Sequence, residues 1–204
     1  MGDLYHFPLS DTFVDRFPIF IETGYGDGIG LGYAALHPYK RLYSIEIWQE
    51  AAERGRRRFE HDSRVTIVDG NSLWLLSDIL KLETDPCFIW LDAHFPGADH
   101  DGQPYDLDLF REDTRTPLPH ELAMIAAHGG CFVLADDLKL YTRIRCDDRH
   151  IQDEVKRAMP TRRSIKDLFT LFDPKLYEIR IDHHDGGYGI VGPKGCKWIG
   201  GYVP

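Results

Sequence analysis

The sequence predicts an α/β fold: a doubly wound, mostly parallel sheet with helices on both faces. Three observations carry this. Short apolar runs alternate with stretches of helical periodicity along most of the 204 residues, the pattern of successive βα units. The first apolar run leads into Glu22-Thr23-Gly24-Tyr25-Gly26-Asp27-Gly28, an acid followed by three glycines at alternate positions. The chain then closes with two alternating segments, Tyr177 to Ile181 and Tyr188 to Val191, around His183-His184-Asp185-Gly186-Gly187. That is an antiparallel hairpin with Asp-Gly at its turn.

The length suits one α/β domain spanning residues 1–204, with residues 1–16 as a leader packed over it. The formal net charge of −9 argues against partners that recruit positive charge, so neither nucleic acid nor an anionic membrane is expected. The one basic cluster, Arg54, Arg56, Arg57 and Arg58, reads as a solvated helix end where positive charge suits the dipole. No apolar run reaches the roughly 18 residues a transmembrane helix needs. The start, MGDLYHFPLSD, lacks the basic and apolar regions of a secretory signal. Cys87, Cys131, Cys146 and Cys196 show no C-x-x-C spacing, which fits reduced thiols in a cytoplasmic protein.

In chain order, Phe17 to Ile21 is the first strand, the glycine turn follows, and helical spacing begins at Ile29. The glycines permit unusual φ and close backbone approach, and the helix start offers free N–H groups. Arg41 to Ile47 is the second strand, with Glu46 at its end, and Trp48 to Phe59 the second helix. Val65 to Val68 is the third strand, followed by Asp69-Gly70-Asn71-Ser72 and a helix from Leu73 to Leu80. Pro86 to Leu91 is the fourth strand, ending in Asp92-Ala93-His94. Residues 95–118, rich in Asp, Gly and Pro, form a long irregular stretch that reads as a lid. His120 to His128 is a helix stopped by Gly129-Gly130, and Cys131 to Ala135 the fifth strand, ending in Asp136-Asp137. Further helices are expected at Ile151 to Met159 and at Ser164 to Phe172, the latter capped by Ser164.

Glu22, Gly24, Gly26 and Gly28, with Glu46 eighteen residues on, resemble the class I S-adenosylmethionine-dependent methyltransferases, whose loop reads E/D-x-G-x-G-x-G. A dinucleotide loop would need G-x-G-x-x-G, a spacing that Ile29 breaks. An acidic turn also suits a cationic sulfonium better than a pyrophosphate. The resemblance implies a Rossmann-like α/β/α sandwich of strand order 3-2-1-4-5-7-6, with one antiparallel strand. It implies a cofactor set of Glu22, Gly24, Gly26, Gly28, Glu46, Asn71, Ser72 and Asp92. Glu46 would hold the ribose, and Asn71 would meet the adenine amine where the family usually has Asp. Asn71 equally suits a helix cap, and the alternative for the glycines is a turn used only for tight strand–helix packing.

Asp92 follows the fourth strand, and Asp136 and Asp137 the fifth. Side chains at neighbouring strand ends, roughly 5 Å apart, converge, and three converging carboxylates repel unless a cation joins them. The arrangement resembles metal-dependent O-methyltransferases of the catechol type, which implies Mg²⁺ or Mn²⁺ at Asp92, Asp136 and Asp137. His94 is then the candidate general base, with Asp92 beside it. The same acids also suit helix caps, and His94 a bond to the lid. His183, His184 and Asp185 carry metal-ligand types but stand in a turn, where exposure is expected, and His100 in the lid has similar standing. The resulting expectation is O-methylation of a small-molecule acceptor, with the acceptor and oligomeric state left open. A methyltransferase-like binding domain without transfer, or a metal-assisted hydrolase, is the alternative.

Overall fold

The computed structural model describes residues 4–98, 111–142 and 164–196. The expected helix at Ile151 to Met159, Cys146, His100 and the middle of the lid lie outside them. Seven strands form one sheet in the order β3-β2-β1-β4-β5-β7-β6: β1 (Ile19–Thr23), β2 (Arg41–Glu46), β3 (Val65–Asp69), β4 (Cys87–Leu91), β5 (Phe132–Ala135), β6 (Tyr177–Asp182) and β7 (Tyr188–Pro193). Strands β1 to β5 pair in parallel, and β7 runs antiparallel to both β5 and β6. This is the order and the antiparallel insertion that the resemblance implies.

The strands are central because their side chains alternate between two apolar layers. Ile19, Ile21, Ile89, Leu91 and Val133 face one layer, built with helices α4 (Ser72–Leu82) and α6 (Leu118–His128). Phe20, Phe88, Trp90, Phe132 and Leu134 face the other. That second layer is closed by the start of the chain. Ser10 caps helix α1 (Asp11–Arg16), its hydroxyl accepting from the Phe13 N–H, and α1 drives Phe13 into the sheet. The Phe13 ring meets Phe88 and Phe132 edge-on at 5.2 and 5.0 Å. Helices α2 (Ile29–Ala35) and α3 (Gln49–Arg58) complete the same side.

Strand β1 starts and ends two residues later than its apolar run suggests, so Glu22 belongs to the strand rather than to the loop. The cause is pairing on both sides: Ile19 to Thr23 are matched to β2 and β4 throughout, while Phe17 caps α1. Strand β3 runs one residue past Val68 because Asp69 pairs with Glu46. Helix α4 begins at Ser72, with Asn71 as its cap: Oδ1 accepts from the Leu73 N–H at 2.9 Å. The two ends of residues 95–118 are tied together, the Phe95 N–H donating to the Arg115 carbonyl at 2.8 Å, next to the short helix α5 (Glu112–Arg115).

Candidate active site

The backbone ladder continues past the strand ends and brings the expected residues to one edge. The Gly24 N–H donates to Ile45 O, Gly70 N–H to Glu46 O, Asp92 N–H to Thr23 O and Asp136 N–H to Leu91 O. The first residues after β1, β3, β4 and β5 therefore stand in a row with the end of β2. They open on a cleft of about 220 Å³ lined by Glu22, Gly24, Gly26, Glu46, Asn71, Ser72, Asp92, His94, Asp136 and Asp137. This is the carboxyl edge, where open α/β sheets place their ligands. Gly28 is the one expected residue that does not line the cleft. It caps α2 at φ 70°, and a side chain there would strike the Tyr25 ring.

Gly24 is held at φ 84° with its α-carbon against β4. An added Cβ would lie 2.8 Å from the Asp92 carbonyl oxygen, and backbone cannot give way as a side chain can. Glu46 spans the loop: Oε2 accepts from the Gly26 N–H at 3.0 Å and Oε1 from the Trp48 N–H at 2.7 Å. Each carboxylate oxygen keeps a second acceptor site. Glu22 is fully buried. It accepts from the Ser44 hydroxyl at 2.6 Å, and burial, with Glu46 adding to it, pushes its pKa to about 8. Asn71 also donates to Thr114 Oγ1 at 3.2 Å, which links the cap to the far end of the lid.

Two contributors escaped the sequence. Arg58, at the end of α3, donates to the carbonyls of Asp27 and Gly28 at 3.0 and 3.1 Å. It therefore straps the glycine loop to the neighbouring helix rather than serving only as a solvated helix end. Glu121 is wholly buried on α6. Neither of its oxygens makes a full hydrogen bond, although the Ser72 and Thr23 hydroxyls stand close, and burial raises its pKa to about 7. An acid inside an apolar helical face carries no local signal. Arg58 had one, its place thirty residues beyond the loop in a tight βαβ unit, but the direction of its side chain was not legible.

The acid cluster departs from expectation. His94 directs Nε2 to Asp137 Oδ2 at 3.1 Å, with Asp92 Oδ1 at 3.8 Å. Lys139, on α7 (Leu138–Tyr141), brings Nζ to 3.3 Å from Asp137 Oδ1. Asp136 Oδ1 is taken by the Asp137 N–H at 2.6 Å. Burial raises the Asp137 pKa, but His94 and Lys139 outweigh it and hold this carboxylate well below its usual range. Burial and the Asp137 charge push Asp136 the other way. The expected Mg²⁺ or Mn²⁺ site at Asp92, Asp136 and Asp137 gains no support from this geometry. Among the described residues no group of three His, Cys, Asp or Glu side chains is spaced to hold a metal ion. Asp137 is engaged by an imidazole and an ammonium, and Asp136 Oδ1 by the next backbone N–H, while Asp136 Oδ2 has no hydrogen-bond partner. In the hairpin turn, His183 and His184 are exposed.

No protein-family model matches the chain, and neither does any curated protein. Solved structures do. An O-methyltransferase from Bacillus cereus in complex with SAH shares the fold at TM-score 0.56 and 15% identity, covering 89% of this chain and 76% of its own. An O-methyltransferase family protein from Burkholderia thailandensis follows at 0.52 and 13%, covering 91% and 52%. An SAH-bound methyltransferase from Podospora anserina matches at 0.50 and 14%, covering 87% and 72%.

Proposed function

We propose that the protein, which has the fold of class I S-adenosylmethionine-dependent methyltransferases, is such an enzyme, transferring a methyl group to a hydroxyl of a small-molecule acceptor. One observation carries the reading. The Glu46 carboxylate is joined to the Gly26 N–H across the opening of the cleft, with Glu22 and Asp92 beside them. The donor set suits the cofactor: among the described residues the cleft lining holds six acidic side chains and no Lys or Arg. That set favours a sulfonium and ribose hydroxyls and disfavours a pyrophosphate. The two neighbours crystallised with SAH support the same ligand.

In this reading Glu46 and the glycine loop hold the ribose, Asn71 and Ser72 flank the adenine, and Glu22 and Asp92 face the cationic end. The bound cofactor supplies an electrophilic methyl. The protein orients the acceptor oxygen in line with it and excludes water. Asp137 fixes the His94 imidazole at the cleft wall, where it can receive the acceptor proton. Calorimetry with S-adenosylmethionine tests the proposal. Micromolar binding supports it, and no heat and no thermal stabilisation at millimolar cofactor would refute it. A metal-assisted hydrolase is the second reading, and it is less favoured because an imidazole and an ammonium already stand on Asp137.

A further inference from the structure

Asp137 is the hinge of the acid cluster. Its backbone is left-handed at φ 52°, a conformation that costs a non-glycine residue energy and is held only by its surroundings. The hold comes from the hairpin turn. The Leu138 and Lys139 N–H groups donate to the Gly187 and Gly186 carbonyls, both at 2.9 Å. Gly186 lies so close that a Cβ on it would stand 1.9 Å from Asp137 Oδ1. Lys139 is thereby fixed behind Asp137, 19% exposed and outside the cleft lining, with its ammonium on Oδ1 while His94 takes Oδ2. The lysine ammonium is delivered to Asp137 by two backbone bonds, and a divalent ion would need the same oxygen.

We propose that Lys139 is the resident counter-charge of the strand-end acids, a positioning residue that stands in place of a divalent metal and holds Asp137 on His94. The part of this that concerns methyl transfer rests on the function proposed above. The part that concerns the cluster does not, and the test uses the protein without cofactor. It follows thermal unfolding with and without MnCl₂ and EDTA, and Mn²⁺ binding by electron paramagnetic resonance. The wild-type protein is expected to ignore both additives. Lys139→Met, which keeps the stem and removes the charge, is expected to bind Mn²⁺ and to gain about 2–4 °C from it. Lys139→Arg is expected to restore metal indifference. Wild-type protein that binds Mn²⁺ and loses that binding in Asp137→Asn would overturn the proposal. So would a folded Lys139→Met that stays as indifferent to Mn²⁺ as wild type. If Lys139→Met does not fold, the wild-type and Lys139→Arg titrations decide alone, since metal binding by either contradicts an occupied cluster. Failure of the methyltransferase reading appears elsewhere, as absence of cofactor binding in the wild-type protein.

Discussion

At the scale of single residues, Glu46 does two things with one carboxylate. It ties the Gly26 and Trp48 N–H groups together, and in the proposed function its remaining acceptor sites take the ribose. Glu46→Ala is expected to weaken S-adenosylmethionine binding by about 1–3 kcal/mol, the scale of a lost hydrogen bond to a charged group. Calorimetry on the folded variant checks it, and unchanged affinity would remove the ribose assignment. Glu121 offers a contrast, a buried acid with no full hydrogen bond. Replacing it by Gln removes a group whose ionisation the interior opposes. Glu121→Gln is expected to unfold less readily than wild type above pH 7, by about 1–3 kcal/mol, with the two converging at acid pH. Urea denaturation across that range measures the difference.

At the scale of elements, the glycine loop is held from outside itself. Helix α3 reaches it through Arg58, which binds the carbonyls of Asp27 and Gly28. Arg58 is exposed, so its removal should leave the core unaffected while freeing the loop. Arg58→Met is expected to raise the dissociation constant for S-adenosylmethionine by about 5–30-fold, the scale of one to two kcal/mol, with a melting temperature close to wild type. Equal affinity would show that the loop holds its shape alone. The α1 segment is the opposite case. Phe13 is buried under the sheet, edge-on to two rings, and its deletion leaves a cavity between layers that cannot close. Phe13→Ala is expected to cost about 3–5 kcal/mol of stability, read by chemical denaturation.

For the whole molecule, the buried acids set a pH dependence. Glu22 and Glu121 have folded pKa values of about 8 and about 7, against an ordinary value of 4.5. Between 4.5 and those values the folded protein binds more protons than the unfolded chain, so stability falls as pH rises through the window. Asp137 acts in the opposite sense at much lower pH, where its protonation removes stability. A cationic ligand beside Glu22 favours the ionised carboxylate. Binding of S-adenosylmethionine is therefore expected to release protons near pH 7, seen as a dependence of the calorimetric heat on buffer ionisation enthalpy. A buffer-independent heat would show that Glu22 does not face the charged part of the ligand.

Much of this architecture is written locally. The alternation of apolar runs with helical spacing names the strands and helices, because burial on two faces demands it of every element separately. Glu22, Gly24, Gly26 and Glu46 were legible as a group since a βαβ unit is short and its loop geometry requires glycine at set places. The strand order came through the resemblance of that loop, not through periodicity. What only the tertiary structure decided involves partners far apart in the chain. Lys139 is placed against Asp137 by Gly186 and Gly187, nearly fifty residues later. Arg58 finds the loop thirty residues before it, and Phe13 finds Phe132 across the width of the sheet. No local pattern reports where a long side chain will find its counter-charge, because that depends on which strands become neighbours. The acids of the cluster were visible in the sequence, and the placing of an imidazole and an ammonium against Asp137 was not.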